Sequence, residues 1–230
     1  MEPLDPGRAA GATDRVVLDV RDPAAYARGH LAGSGHLPLA DLRERRVELP
    51  PRGTRILVVA DDATVAAAGA TALEEMGYAD AAHLDGPLAA LPGGLDDRGS
   101  AARLWRPARF LAEVLPELMA AWPAGSGPAR TALDVACGAG RDAVYLATHG
   151  FTVEGRDHAP EALERARALA AHEGVPLRTV VCDLERSGLP PPERRFDLVV
   201  CFRFLHRPLF AWMQQAVAPG GWLAYETYRL

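Results

Sequence analysis

The sequence predicts an α/β protein made of two successive parallel-sheet units. Short β-branched runs such as VVLDV (16–20), ILVVA (56–60), TALDV (131–135) and FDLVVCFRFL (196–205) suit buried parallel strands, and helical stretches alternate with them. A Gly-, Asp- and Pro-containing stretch, LPGGLDDRGSAAR (91–103), separates the two sets and reads as a linker. Domains are therefore expected at 13–91 and 104–230, joined by 92–103.

In the first unit, VVLDV and ILVVA are the strands. TVAAAGATALEEMG (64–77) follows as a helix, with Thr64 as its N-cap and Gly77 as its stop. The segment LWRPARFLAEVLPELMAAW (104–122) then carries Leu104, Phe110, Leu111, Val114, Leu115, Leu118 and Met119 at near-helical spacing. It reads as a lead-in helix with Pro107 in its first turn and a kink or restart at Pro116.

The second unit proper opens with the strand TALDV. ACGAGRDAVYLATHG (136–150) is a glycine loop followed by a helix. Then come a strand in TVEGRD (152–157), a helix in PEALERARALAAHEG (160–174) and a strand in LRTVVCD (177–183). The strand FDLVVCFRFL, a helix in RPLFAWMQQAVAPGG (207–221) and a last strand in WLAYET (222–227) complete the pattern.

Composition narrows the function classes. The 230 residues are 49% hydrophobic and 24% charged, as in an ordinary globular protein. A net charge of -5 gives no basic footprint for nucleic acid or anionic membrane. Lysine is absent and all 25 basic residues are Arg, which reads as coding-sequence bias rather than a binding signal. The three cysteines, Cys137, Cys182 and Cys201, suit neither a disulfide framework nor a zinc site. The N-terminal MEPLDPGRAAGATDR has no apolar core of signal-peptide length, and no run approaches a membrane span. A cytoplasmic location is expected.

The first unit resembles the rhodanese family. LDVRDPAAYARGHLAGSGHLPL (18–39) matches that family's Asp-x-Arg, aromatic-x-x-Gly-His and Pro, and GYADAAHLDGPL (77–88) its closing strand and turn. The resemblance implies a persulfide-carrying Cys after the central strand. Here that strand ends in Ala60, Asp61 and Asp62, and no Cys precedes Cys137. A carboxylate forms no persulfide, and two Asp at a helix N-terminus repel anionic sulfur donors. This unit is therefore expected to lack sulfurtransferase activity and to keep its fold for packing or partner contact, with His30 and His36 as structural loop residues.

In the second unit, Gly138 and Gly140 let backbone approach a ligand, and the next helix aims its free N–H groups at an anion. Asp134, Asp157 and Asp183 end successive strands, all on the edge where open α/β sheets bind ligands. The run Gly138-Ala-Gly-Arg-Asp-Ala143 also satisfies the looser dinucleotide-binding pattern, which leaves a nicotinamide dehydrogenase as the competing reading. The ordered set LDVACGAGRD, EGRDHAPEAL, VVCDL, FDLVVCFRFLH and APGGWLAYET resembles class I methyltransferases with a Rossmann-like sheet. Their tellurite-resistance and thiopurine-type small-molecule branch is the nearest in pattern.

That resemblance implies S-adenosylmethionine as methyl donor and no metal. Asp134, Gly138 and Gly140 would meet the methionine part, Asp157 the ribose and Asp183 with Leu184 the adenine, and Ala136, His158 and Phe202 are the further cofactor-binding residues expected. Cys137 and Cys182 are read as packing residues. The acceptor side would be lined by Phe202, Arg203, His206, Arg207, Glu226 and Tyr228, with no general base assigned. A small-molecule acceptor is the expected partner. The family usually continues beyond its fifth strand, whereas this sequence ends at Leu230, so the sheet is expected to be incomplete there. An exposed fifth strand would favour a homo-oligomer. It also keeps open a second reading, a catalytically inactive two-domain binding or scaffold protein that retains the cofactor.

Overall fold

All strands of the two sheets pair in parallel. The computed structural model describes residues 2–91, 95, 102–122, 129–186 and 189–227. Two compact units divide the chain, Met1–Arg106 and Pro107–Leu230.

The first unit contains β1 (Glu2–Leu4), α1 (Pro6–Gly11), β2 (Val16–Asp19), α2 (Pro23–Arg28), β3 (Gly35–His36), β4 (Ile56–Val59), α3 (Ala63–Glu75) and β5 (Ala81–Leu84). Its sheet order is β1-β5-β4-β2-β3. β4 lies in the middle with every residue buried, as its unbroken apolar run requires. The unit starts earlier than the Thr13 read from sequence, because Glu2–Leu4 adds an edge strand to β5. It also runs later, since Leu104 packs into the core formed by Leu18, Val20, Leu37 and Val58. Most of the expected linker lies outside the described residues. Ala102, within it, donates its N–H to the Ser34 carbonyl. The N-cap of α3 is Asp62 rather than Thr64, since a carboxylate there accepts from the Thr64 and Val65 amides at 2.7 and 3.4 Å.

The second unit begins with α4 (Arg109–Ala121), shorter than 104–122 and continuous through Pro116. Then follow β6 (Thr131–Val135), α5 (Arg141–Thr148), β7 (Thr152–Asp157), α6 (Pro160–His172), β8 (Arg178–Val181), β9 (Phe196–Phe202), α7 (Leu209–Ala216) and β10 (Val217–Glu226). The order β10-β9-β6-β7-β8 puts the reversal of strand order between β6 and β9. Ligands of open α/β sheets bind at the carboxyl ends of the strands there. β10 starts at Val217, before the expected Trp222, and a register shift between those residues marks the irregularity.

Alternation along β9 splits the core. Leu198, Val200 and Phe202 face α4 and α5, while Val199 and Cys201 face α7. Charged residues interrupt the apolar core of this unit, Glu154 most deeply. Glu154 on β7 is fully buried and paired with Arg156 at 2.7 Å, Arg194 at 3.2 Å and Arg178. Arg156 also lies over the Trp212 ring and Arg194 over Phe196. Removing the carboxylate would leave these guanidinium groups without their common partner. Glu154→Ala is expected to destabilise the second unit by about 3–5 kcal/mol, read as a lower midpoint in urea denaturation. A change under about 0.5 kcal/mol would mean that the arginines find water instead.

Candidate functional site

The loop between β6 and α5 turns on three left-handed residues at alternate positions. Ala136 has φ 58°, Gly138 53° and Gly140 77°. Ala136 is thus a non-glycine residue held in a region that costs an L-amino acid about 1–2 kcal/mol. Gly140 caps α5, and a Cβ on it would meet the Ala166 Cβ at 2.6 Å, so the loop lies directly on α6. A Cβ on Gly138 would meet nothing within 4 Å. Open space therefore lies over Gly138, where a ligand can approach the backbone.

Two carboxylates organise this loop. Asp157, at the end of β7, accepts from Gly138 N–H at 2.8 Å and from Ala159 N–H at 3.0 Å. Asp134 on β6 is 2% exposed, and its Oδ2 has no hydrogen-bond partner among the described residues. Burial, with Asp142 beside it, pushes the Asp134 carboxyl well above the ordinary value of 3.8.

The remaining residues read from sequence are spread along the same edge. The His158 side chain is exposed, with Nδ1 3.4 Å from Asp157 Oδ1. Asp183 is exposed and accepts from Glu185 N–H at 3.1 Å, whereas Leu184 is buried. Phe202 is buried edge-on against Phe110, centroids 6.4 Å apart. Arg203 has φ 61°, donates its N–H to the Glu226 carbonyl at 2.8 Å and keeps a side chain 51% exposed. His206 lines a cavity of about 400 Å³ with Leu184, Leu189, Leu209 and Trp212. Arg207 and the Glu226 side chain are exposed. Tyr228 lies outside the described residues. The structure thus gathers Asp134, Ala136, Gly138, Gly140 and Asp157 into one loop site, and leaves His158, Asp183, Arg207 and Glu226 with exposed side chains. Burial raises Cys137, and raises Cys201 to about 12, so neither thiol is activated.

Sequence reasoning assigned no role to Asp142. It occupies the first turn of α5, is 6% exposed, and accepts from Ala108 N–H at 2.5 Å. Arg203 Nη2 lies 3.5 Å from its Oδ2. Its place two residues after Gly140 was legible, but its neighbours come from α4 and β9.

In the first unit, the position after β4 is filled by charge. Asp61 Oδ1 accepts from Arg21 Nη1 at 3.2 Å, and Arg21 also bonds buried Asp19 and the Gly29 carbonyl. The Asp62 carboxylate occupies the amides that open α3. His30 and His36 stack on Tyr26 at 3.9 and 4.3 Å between centroids.

The raised Asp134 carboxyl has a consequence for stability. The folded protein holds this proton more tightly than the unfolded chain, so the contribution favours folding at low pH and fades as pH rises through the raised value. Asp134→Asn mimics the neutral form. It is expected to melt higher than wild type at neutral pH, by the equivalent of about 1–3 kcal/mol, with the gap closing below the ordinary carboxylate value. Thermal melts at acid and neutral pH read the difference, and a lower melting point at neutral pH would contradict it.

Residues 132–221 match the family model of a methyltransferase domain, and residues 7–91 that of a rhodanese-like domain. An uncharacterized methyltransferase of Synechocystis sp. is 39% identical over 101 residues, 41% of this chain and 45% of that protein. A ubiquinone biosynthesis O-methyltransferase of Paracidovorax citrulli is 36% identical over 127 residues, 52% of each. This chain therefore spans about half the length of these curated relatives. Among solved structures, an S-adenosylmethionine dependent methyltransferase from Mesorhizobium loti is 31% identical, with a TM-score of 0.39, over 50% of this chain and 53% of that one. The chain carries a rhodanese-like domain followed by a methyltransferase domain, and the glycine loop with its two carboxylates belongs to the second.

Proposed function

We propose that this protein transfers a methyl group from S-adenosylmethionine to a small-molecule acceptor, without a metal. The observation that carries this reading is the open space over Gly138, whose N–H is held by Asp157. A cationic amino group suits the Asp134 oxygen that has no partner among the described residues, and a carboxylate suits the positive end of the α5 dipole. Each Asp157 oxygen accepts one N–H in the fold and has a lone pair left for a ribose hydroxyl. His158 stands at the rim beside it. Asp183 and Leu184 offer an acceptor and an apolar surface to a purine.

The bound cofactor supplies a methyl carbon already activated by its sulfonium. What the chain must add is orientation and exclusion of water. Phe202, packed on Phe110, makes a dry wall beside the loop. Arg203, His206, Arg207 and Glu226 are the acceptor-side candidates, and none is assigned as general base. The acidic balance of the chain favours a small acceptor over nucleic acid.

The rhodanese-like domain is not a sulfurtransferase on this reading. Asp61 and Asp62, not a Cys, follow β4, and Asp62 already accepts from the amides that open α3. Thiosulfate and cyanide incubated with the protein should give no thiocyanate above the uncatalysed rate. Burst formation of thiocyanate would overturn this assignment.

Calorimetric titration with S-adenosylhomocysteine tests the methyl-donor reading. Micromolar binding is expected, weakened at least about tenfold in Asp157→Ala, equivalent to the 1.4 kcal/mol of a lost polar contact. Circular dichroism would confirm that the variant remains folded. No binding by folded wild-type protein would refute the reading.

A further inference from the structure

The methyl-donor reading leaves Asp142 unused, a buried carboxylate at the glycine loop beside Asp134. Asp134 comes from β6 and Asp142 from the first turn of α5. Ala143 N–H donates to Asp134 and Ala108 N–H to Asp142. Asp157 adds a third negative group from β7. The thiols of Cys137 in the loop and Cys201 on β9 face Asp134 and carry no charge. Positive charge reaches the pair from Arg203 on the β9 side, 3.5 Å from Asp142, and from Arg141 at the start of α5. Arg203 is half exposed, so water screens much of its effect.

Two desolvated carboxylates in such a setting do not both ionise without a closer cation. We propose, on the basis of the methyl-donor reading, that Asp134 and Asp142 keep one proton between them until the cofactor's cationic amino group binds, and that its arrival sends this proton to solvent. Asp142 is then a further cofactor-binding residue. The balance is simple. One carboxylic acid, one carboxylate and one ammonium become two carboxylates and one ammonium in the complex, with one proton released. The unpartnered Asp134 Oδ2 marks where the ammonium is received. The Ala108 N–H bond fixes the Asp142 carboxylate in the first turn of α5. Burial raises both groups, and the Asp142 charge raises Asp134 further, in the direction the release requires.

The sign of the pH dependence follows. Where the free pair holds its proton, binding expels it, and affinity climbs by up to about tenfold per pH unit. Once the free pair is fully ionised, the climb stops.

The experiment titrates the full chain with S-adenosylhomocysteine in phosphate and in Tris, whose ionisation enthalpies differ. Infrared spectra of the ligand-free protein accompany it, read for the carbonyl band of a protonated carboxyl group. Wild type should show the band at neutral pH, and its apparent binding enthalpy should differ between the buffers. Asp142→Asn keeps an acceptor for Ala108 N–H, and should lose both the buffer dependence and the rise of affinity with pH. Binding with equal enthalpies in both buffers, or a buffer dependence unchanged in Asp142→Asn, would overturn the proposal and leave the methyl-donor reading intact. A carbonyl band without any binding would instead remove the methyl-donor reading, and with it the cofactor's role in releasing the proton.

Discussion

The N–H of Gly138 donates to Asp157 at 2.8 Å, and this bond ties the loop after β6 to the end of the neighbouring strand. Around it, Cys137 N–H donates to the Arg156 carbonyl at 3.0 Å and Gly140 N–H to the Cys137 carbonyl at 2.9 Å. The loop is thereby held flat against β7 while Gly140 starts α5 and rests on α6. Every other group of the site takes its place from this arrangement. Asp142 is aimed by α5, and Asp134 is covered by the same helix. A loop that is pre-formed in this way spends little binding energy on ordering.

The methyltransferase domain separates its charges by depth. Glu154 is buried among three arginines, so its charge is compensated and the cluster acts as a strut between β7, β8 and the approach to β9. Among the described residues Asp142 has one ion-pair partner, the half-exposed Arg203 at 3.5 Å, and Asp134 has none. A protein that can bury one carboxylate with full compensation and leave two others short of it carries stored electrostatic cost at one place. Such cost is tolerated where a ligand of opposite charge relieves it.

The rhodanese-like domain shows the opposite solution. Its helix α3 begins with free amides that would attract an anion, and Asp62 satisfies them from within the chain. Asp61 is held by Arg21, itself locked by Asp19 and the Gly29 carbonyl. The stack of His30, Tyr26 and His36 packs the same region without exposing a reactive group. In this domain the amides that open α3 are satisfied from within the chain, beside a sheet whose central strand β4 is buried throughout.

The sequence by itself determined the parallel α/β organisation, because unbroken β-branched runs and helical periodicity are local patterns. It also determined the glycine loop and the placing of Asp134, Asp157 and Asp183 at strand ends, since a carboxyl end in a parallel sheet points to one edge whatever the packing. Contacts between distant residues were decided only by the tertiary structure. Glu2–Leu4 has no strand signature and becomes one because β5 offers it an open edge. Thr64 has the chemistry of an N-cap, yet the chain path gives the amides to Asp62. Asp142 looks like an ordinary first-turn carboxylate until α4 and β9 bring Ala108 and Arg203 to it. Burial, and the protonation that follows from it, belongs to the packed molecule, because the solvent a side chain loses is removed by residues far away in sequence.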